Sequence, residues 1–483
     1  MTRYIRNIFV ISLLLFSLSQ AEGQPIELGD EGQKYALDKN VELLFDTTYQ
    51  DYTIEEVVSP RIDAQFREKQ QKYLNFGYIK HPIWVKFTVD NQTARADWQL
   101  SLAITYVDTI SFYRKTPAGN WEAQNVGWSE PFGNRGEIES GSFYFPLDLQ
   151  PDSVQTYYMR VSSINSVALP LYVLPKHQAY SESQNWHLWY GLYGGAMLIM
   201  IFYNLFIFLT LRNLNYLFYV FTIASTMVTF MVLSGYLFKY VYPDSPILNH
   251  VIFRSSITMV IVTTSVFTIR FLNVKRYSKF LFYSLSATAT VAVLALAYQL
   301  VAISGEVLNA VVRVQSPLLL ITGIWCWKKG SKFARFFVLA WVCYTLGGFA
   351  ITLRNSGVAP FNFWTTHGAE IGSLLEVMLI SLALSDQYRV IKKKQEETSK
   401  KLLEVEKDAK NTLEQRVEER TYQLNERNEE LYQLNEEMQV TLETVKEQNL
   451  EIVRKNQEIT SGINYAQRIQ KAILPSKELF DRY

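Results

Sequence analysis

Between Trp186 and Tyr388 the chain carries seven long apolar stretches, approximately 186 to 211, 215 to 238, 247 to 272, 280 to 303, 307 to 327, 333 to 353 and 364 to 388. Each is close to the ~20 residues that a helix needs to cross a hydrocarbon core. In that solvent every main-chain N–H and C=O must find a partner inside the protein, which makes a helical bundle the expected fold of this part. A lipid bilayer is therefore its first partner. An odd number of spans puts the two flanking segments on opposite sides of the membrane.

Which segment lies outside follows from charge. Arg3 and Arg6 precede the apolar run Ile8 to Leu18, and Ser19 and Ala21 mark a cleavage point, so residues 1–21 read as a signal peptide and the following segment as exported. With that orientation Arg212, then Arg270, Lys275, Arg276 and Lys279, then Lys328, Lys329, Lys332 and Arg335, and finally Arg389 with Lys392 to Lys394 all fall inside. The outer connections carry only Lys239 and Arg354, the asymmetry that the positive-inside rule requires. The N-terminal domain is thus expected on the outer side of the membrane and the C-terminal segment in the cytoplasm.

The formal net charge of +1 excludes little by itself, but no basic patch suited to nucleic acid stands out. Both cysteines, Cys326 and Cys343, fall in spans, so the exported domain at 26–178 must fold on a hydrophobic core without disulfides. No His/Cys cluster has metal-ligand spacing, and no cofactor is expected. The exported part alternates apolar and polar residues in short runs such as Ile83 to Val89, Trp98 to Leu102, Thr109 to Tyr113 and Thr156 to Val161, with turns at Pro117-Ala118-Gly119-Asn120 and Pro151-Asp152-Ser153. That pattern predicts an antiparallel β-sandwich, with a helix-like stretch at Ile62 to Tyr73. After the bundle (186–388), residues 389–462 are helical and charged, with Val417, Leu424, Leu431, Met438, Val445, Ile452 and Ile459 seven apart, continued by Ala466 and Ile473. These are d positions; the a positions mix Leu442 and Ile463 with Asn428, Asn435, Asn449 and Asn456. Asn at a predicts a parallel two-stranded coiled coil of fixed register, hence a homodimer.

Ring-bearing residues set the first site candidates. Trp84 and Trp98 lie in alternating strands and belong in the core, whereas Trp121 and Trp128 sit by turns, where an exposed ring can stack on a ligand. Arg135 and Asp108 are candidate polar contacts by the same loops. Within the membrane, Arg254, Arg313 and Glu370 each fall six or seven residues below the outer end of a span, roughly 10 Å deep, where a shared polar network could couple the outer domain to the helices. Glu376 and Asn204 are further candidates for hydrogen bonds between helices, and Arg270 is placed to snorkel. No catalytic residue is assigned. The last span has no lysine for a retinal Schiff base, and no histidine follows His367 to accept a phosphoryl group. A transporter would show broken helices and charges at the midplane.

Gly77-Tyr78-Ile79, Trp84-Val85-Lys86-Phe87, Trp98, Val107-Asp108, Phe112-Tyr113, Pro131-Phe132, Arg135, Phe145-Pro146-Leu147 and Tyr158-Met159-Arg160-Val161 resemble the sensing domain of bacterial seven-transmembrane receptors with diverse intracellular signalling modules. Tyr203-Asn204-Leu205-Phe206 and the run Glu370 to Asp386 resemble the membrane part of the same family, so the likeness covers about residues 30 to 390. Lys86 stands where that family commonly has Arg. The resemblance implies a multidomain chain with a jelly-roll-like all-β ectodomain, a seven-helix transmembrane bundle and a long cytoplasmic coiled coil. It also implies a receptor in the inner membrane of a bacterium, its N-terminal domain periplasmic and its coiled coil cytoplasmic, for a small extracytoplasmic ligand, carbohydrate being the class that the fold suggests. Residues Ser461 to Ser476, in the final segment 463–483, resemble the helical lead-in to sporulation-type serine/threonine phosphatases. The metal-binding carboxylates of such a domain would follow that lead-in. Two outputs are thus expected as alternatives: a cytoplasmic regulatory protein recruited by the coil, or a phosphatase for which this chain is the regulatory portion.

Overall fold

The computed structural model describes residues 24–473 except 30–31, 48–50, 69–73, 80, 117, 165, 300–305 and 357. The signal peptide and residues 474–483 of the phosphatase-like lead-in lie outside the described residues. The chain divides into two units, one ending at Arg389 and one beginning at Val390.

The outer part of the first unit is built from β1 (Ile26–Leu28), β2 (Tyr35–Ala36), β3 (Val41–Phe45), β4 (Arg67–Glu68), β5 (Asn75–Tyr78), β6 (Ile83–Asn91), β7 (Trp98–Leu102), β8 (Thr109–Lys115), β9 (Trp121–Val126), β10 (Phe143–Pro146), β11 (Ser153–Ser162), β12 (Ser166–Ala168) and β13 (Leu171–Pro175). One sheet runs β4-β3-β6-β11-β8-β9 with β1 added parallel to β6; the other runs β10-β7-β13-β2; β5 and β12 pair separately. Pairs along both longer paths are antiparallel. Period two explains the layering: on β6 Ile83, Val85, Phe87 and Val89 are buried while Lys86, Thr88 and Asp90 are only partly so. Those four, with Tyr157, Met159 and Val161 of β11, share one core with Trp98, Leu100 and Leu102 of β7 and Phe143 and Phe145 of β10. Two sheets with one core between them make a sandwich.

Of the helix expected over Ile62 to Tyr73, residues 69–73 lie outside the described residues, and the described part is helical only at its start. A four-residue helix, Pro60–Asp63, ends at Ala64, and Arg67–Glu68 leaves as β4 to pair with β3. Its Asp63 has a use, since the Lys86 ammonium lies 2.9 Å from Asp63 and 3.4 Å from Glu42. Burial alone would lower the Lys86 ammonium, but the Asp63 hydrogen bond and the Glu42 charge outweigh it and hold it above its ordinary value. The lysine thus bridges two carboxylates as a point charge rather than a planar fork.

Among the described residues seven helices are long and apolar enough to cross a membrane: α1 (Lys176–Leu211), α2 (Leu214–Leu233), α3 (Pro246–Phe271), α4 (Lys279–Gln299), α5 (Glu306–Lys328), α6 (Ala334–Asn355) and α7 (Phe363–Ile473), the last contributing its residues up to Arg389 to this unit. Two boundaries differ from those read off hydropathy. The first helix begins at Lys176, directly after β13, and Ala179 packs with Leu174 and Tyr144 on the outer face of the second sheet. No linker separates sandwich from first span. The second helix stops at Leu233 because Gly235, at φ 79°, turns the chain into the short helix Tyr236–Tyr240.

Inside the bundle Tyr193, Met197, Tyr219, Ile223, Phe267, Phe337, Val377 and Ile380 belong to one core. Helices α6 and α7 approach through glycines. A Cβ on Gly372 would sit 2.8 Å from the Cys343 carbonyl oxygen, and one on Gly347 would overlap the Gly368 carbonyl. Small residues at such contacts let helix backbones meet closely where lipid provides no hydrophobic drive.

In the second unit, residues Val390 to Ile473 are helical and exposed along their whole length. The stripe Val417, Leu424, Leu431, Met438, Val445, Ile452 and Ile459 is 45 to 64 % exposed in the single chain. Asn428, Asn435, Asn449 and Asn456 lie on the same solvated helix.

Candidate functional site at the seat of the sandwich

The sandwich is keyed into the outer ends of the helices at three points. At the first, Trp128 is completely buried, with its ring 5.2 Å from Phe253 and 5.8 Å from His250 of α3. Asp108 lies beside it, 3.6 Å from His250 Nε2, while its other oxygen accepts from Ser163 Oγ and the Ile164 N–H, both at 2.7 Å. The exposed ring expected at Trp128 is thus corrected. The turn after β9 faces α3 rather than solvent, and the indole fills the gap between them.

At the second point the connection between α2 and α3 is gripped. The Phe132 N–H donates to the Pro243 carbonyl at 2.8 Å, and Phe132 meets Phe238 edge-on at 5.7 Å. Thr105 Oγ1 donates to the Leu233 carbonyl at 2.5 Å, and the Glu139 carboxylate pairs with Lys239 at 2.9 Å. Gly141 runs so close to the Ser234 carbonyl that a Cβ there would overlap it. Arg135 lies beneath this contact, 2 % exposed, donating from Nη1 to the Ser140 and Gly141 carbonyls at 2.9 Å. Its guanidinium lies 4.4 Å from the Phe132 and Phe143 rings and 5.9 Å from Phe238. Burial pushes Arg135 down to about 9, still a cation at neutral pH, and the ring faces and two carbonyls offset part of its desolvation. Arg135 therefore braces a loop from within.

The third point is the end of α6. Asn75 Nδ2 donates to the Arg354 carbonyl at 2.8 Å, and Arg354 Nη2 reaches Tyr106 Oη at 3.4 Å and Asn355 Oδ1 at 3.1 Å. Arg354 is only 6 % exposed and shares a cavity of about 250 Å³ with Glu370, which accepts from Tyr190 Oη at 3.1 Å.

This arrangement replaces the polar network expected from Arg254, Arg313 and Glu370. Arg254 donates to the Gln299 carbonyl at 3.3 Å, and Arg313 donates to Asn309 of its own helix from an exposed position. Neither residue lines the Glu370 cavity. The cation opposite Glu370 is Arg354, placed by sequence in an outer connection. Depth along a helix is legible from hydropathy, but rotation about its axis decides whether a charge faces a partner or lipid. Deeper in, Asn204 donates to Ser381 Oγ at 3.0 Å and joins α1 to α7, while Glu376 is buried at 7 % exposure. Trp121 stands apart, half-buried on β9 and edge-on to Tyr158 at 5.5 Å. Trp128, Asp108 and Arg135 thus gather at the seat, and Trp121 does not. Of the contacts not singled out as site residues, His250, Lys239 and Arg354 could have been sought as polar residues at the outer ends of the spans, whereas Tyr106, between β7 and β8, carries no such signal.

Around the seat opens a larger cleft of about 580 Å³, bounded by the second sheet, the first turns of α1 and the start of α7. Among the described residues no group of three or more His, Cys, Asp and Glu side chains could hold a metal ion.

No curated protein matches the chain. Residues 186–387 match the family described as 7TM diverse intracellular signalling, and residues 38–175 match the one described as 7TMR-DISM extracellular 2. The extracellular match ends with β13 and the 7TM match begins within α1, so in chain order they cover the sandwich and then the seven helices. A multi-pass chain with this sensing domain seated on this bundle belongs to the seven-transmembrane receptors with diverse intracellular signalling.

Proposed function

We propose that the protein senses a small ligand on the extracytoplasmic side and conveys binding, through the seat, as a displacement of α1 and α7 to a parallel dimeric coiled coil in the cytoplasm. The observation that carries this reading is the seat itself. Bonds from Thr105, Phe132, Asn75 and Glu139 fix the sandwich to the α2–α3 connection and to α6, and β13 passes straight into α1. A sandwich held at several helix ends cannot shift without shifting them. The exposed apolar stripe supports the dimer, because d positions that stay 45 to 64 % exposed in one chain are covered when two chains pair. Asn428, Asn435, Asn449 and Asn456 would then set its register. Positive charge on the inner connections supports the orientation. The output is a regulatory protein that reads the state of the coil, or a phosphatase module joined to it.

The experiment is a phase test. No Gly or Pro interrupts Leu384 to Lys394, so inserting four residues after Lys394 should rotate everything beyond by about 40° and change the basal output, while a seven-residue insertion should restore it. An output indifferent to both insertions sinks the reading.

A further inference from the structure

Rings crowd the cleft beside the seat, among them Tyr144, Tyr172, Trp186, Trp189, Phe361 and Phe363. Ring faces carry the negative side of the aromatic quadrupole and attract cations. One cation is already there. Lys34 Nζ lies 4.2 Å from the centre of the Tyr172 ring and 2.6 Å from Glu182 Oε1, while the Tyr144 hydroxyl donates to Glu182 Oε2 at 3.1 Å. Lys34 belongs to the sandwich and Glu182 to α1, so this ion pair is also a strap between them. Its side chains are 29 and 30 % exposed, hence open to competition by a cation from outside. Ring faces with a carboxylate at one end form the arrangement by which proteins recognise alkylammonium groups. On the same wall Leu188 and Leu192 are 62 and 63 % exposed on a helix of membrane-crossing length. An alkyl chain attached to a bound ammonium could follow them into hydrocarbon.

We propose that this cleft binds an organic ammonium, free or as the headgroup of an amphiphile, at the place that the Lys34 ammonium holds, and that the ligand releases Lys34 from Glu182. The sandwich thereby loses one of its ties to α1, while Ser183 Oγ still donates to the Glu139 carbonyl at 2.9 Å. This names the ligand class for the receptor reading and rests on it for the signalling consequence, but binding is measured without any output.

The test uses the full chain in nanodiscs of phosphatidylglycerol, with binding read from tryptophan fluorescence. Choline and lysophosphatidylcholine are the probes, and glucose and acetate the controls. The expected result is saturable binding of at least one ammonium probe and of neither control; choline binding points to a soluble source, and lysophosphatidylcholine alone to a membrane one. Removing the competitor with Lys34→Met should tighten that binding at least tenfold, and Glu182→Gln should weaken it at least tenfold. Opposite responses from the two halves of one ion pair are what a merely structural strap does not give, since losing either half would loosen it alike. Trp189→Phe should keep binding and Trp189→Leu lose it, in variants whose melting temperatures match the parent. Equal affinity in the Lys34→Met receptor, or no saturable binding of either ammonium probe, overturns the proposal. A receptor that passes the phase test yet binds no ammonium overturns this assignment alone.

Discussion

The contact between Trp128 and Phe253 can be measured as an energy. Trp128 is completely buried, so Trp128→Ala should cost about 3–5 kcal/mol through lost transfer energy and an unfilled cavity. Phe253 is half-buried, and Phe253→Ala should cost roughly half that range. The rings stand 5.2 Å apart at 82°, an edge-to-face pair, for which a coupling of about 0.5–1.5 kcal/mol is expected. The double variant should therefore be destabilised by less than the sum of the single ones, by about that coupling. Titration of the purified receptor with SDS in mixed micelles, followed by circular dichroism, gives all four corners of the cycle. Independent sites add within about 0.3–0.5 kcal/mol, so a sum that closes within that margin would refute direct packing of the sandwich on α3. His250 touches the same indole and should be left unchanged throughout.

Gly372→Leu should separate α6 from α7, since even a Cβ meets the Cys343 carbonyl at 2.8 Å; a lowered melting temperature and faster labelling of Cys343 by maleimide would report it. Asn204→Leu removes the bond to Ser381 and should cost about 0.6–2 kcal/mol in SDS titration, whereas Asn204→Gln should recover part of it. Hydrogen bonds from Lys176 and Tyr180 hold the Glu137 carboxyl below its ordinary value. A depressed carboxyl stabilises the fold above the unfolded value near 4.5 and loses that contribution as pH falls through its lower folded value. The Glu137→Gln receptor should accordingly melt below the parent at pH 7 and converge with it in strong acid, and a gap independent of pH would contradict this. Asn435→Ile should raise the melting temperature of a peptide spanning residues 400–473 and admit species larger than a dimer in sedimentation, because a polar a position limits oligomer order at some cost in stability.

What the sequence made legible depended on how local the cause was. Strand alternation in Ile83 to Val89 and the length of the apolar runs are properties of a few consecutive residues, and both survive in the structure. Trp128 and Arg354 were misplaced for one shared reason. Each was read as facing solvent because it follows a turn or ends a span, and each is buried because the sandwich sits on the helix ends. That burial joins residues more than a hundred positions apart, such as Trp128 with Phe253, and no local pattern encodes it. Lys34 escaped notice similarly, as its partner Glu182 lies on another element.

Three of the bonds that seat the sandwich end on main-chain carbonyls, those of Leu233, Pro243 and Arg354, and Gly141 rests against a fourth at Ser234. A carbonyl is present whatever side chain its residue carries. The receiving turns can therefore drift in sequence while still presenting the same acceptors, provided that their backbone path persists. Grafting this sandwich onto another bundle would then require transplanting the shape of the turn between α2 and α3, with Gly235 as its pivot, more than its residue identities.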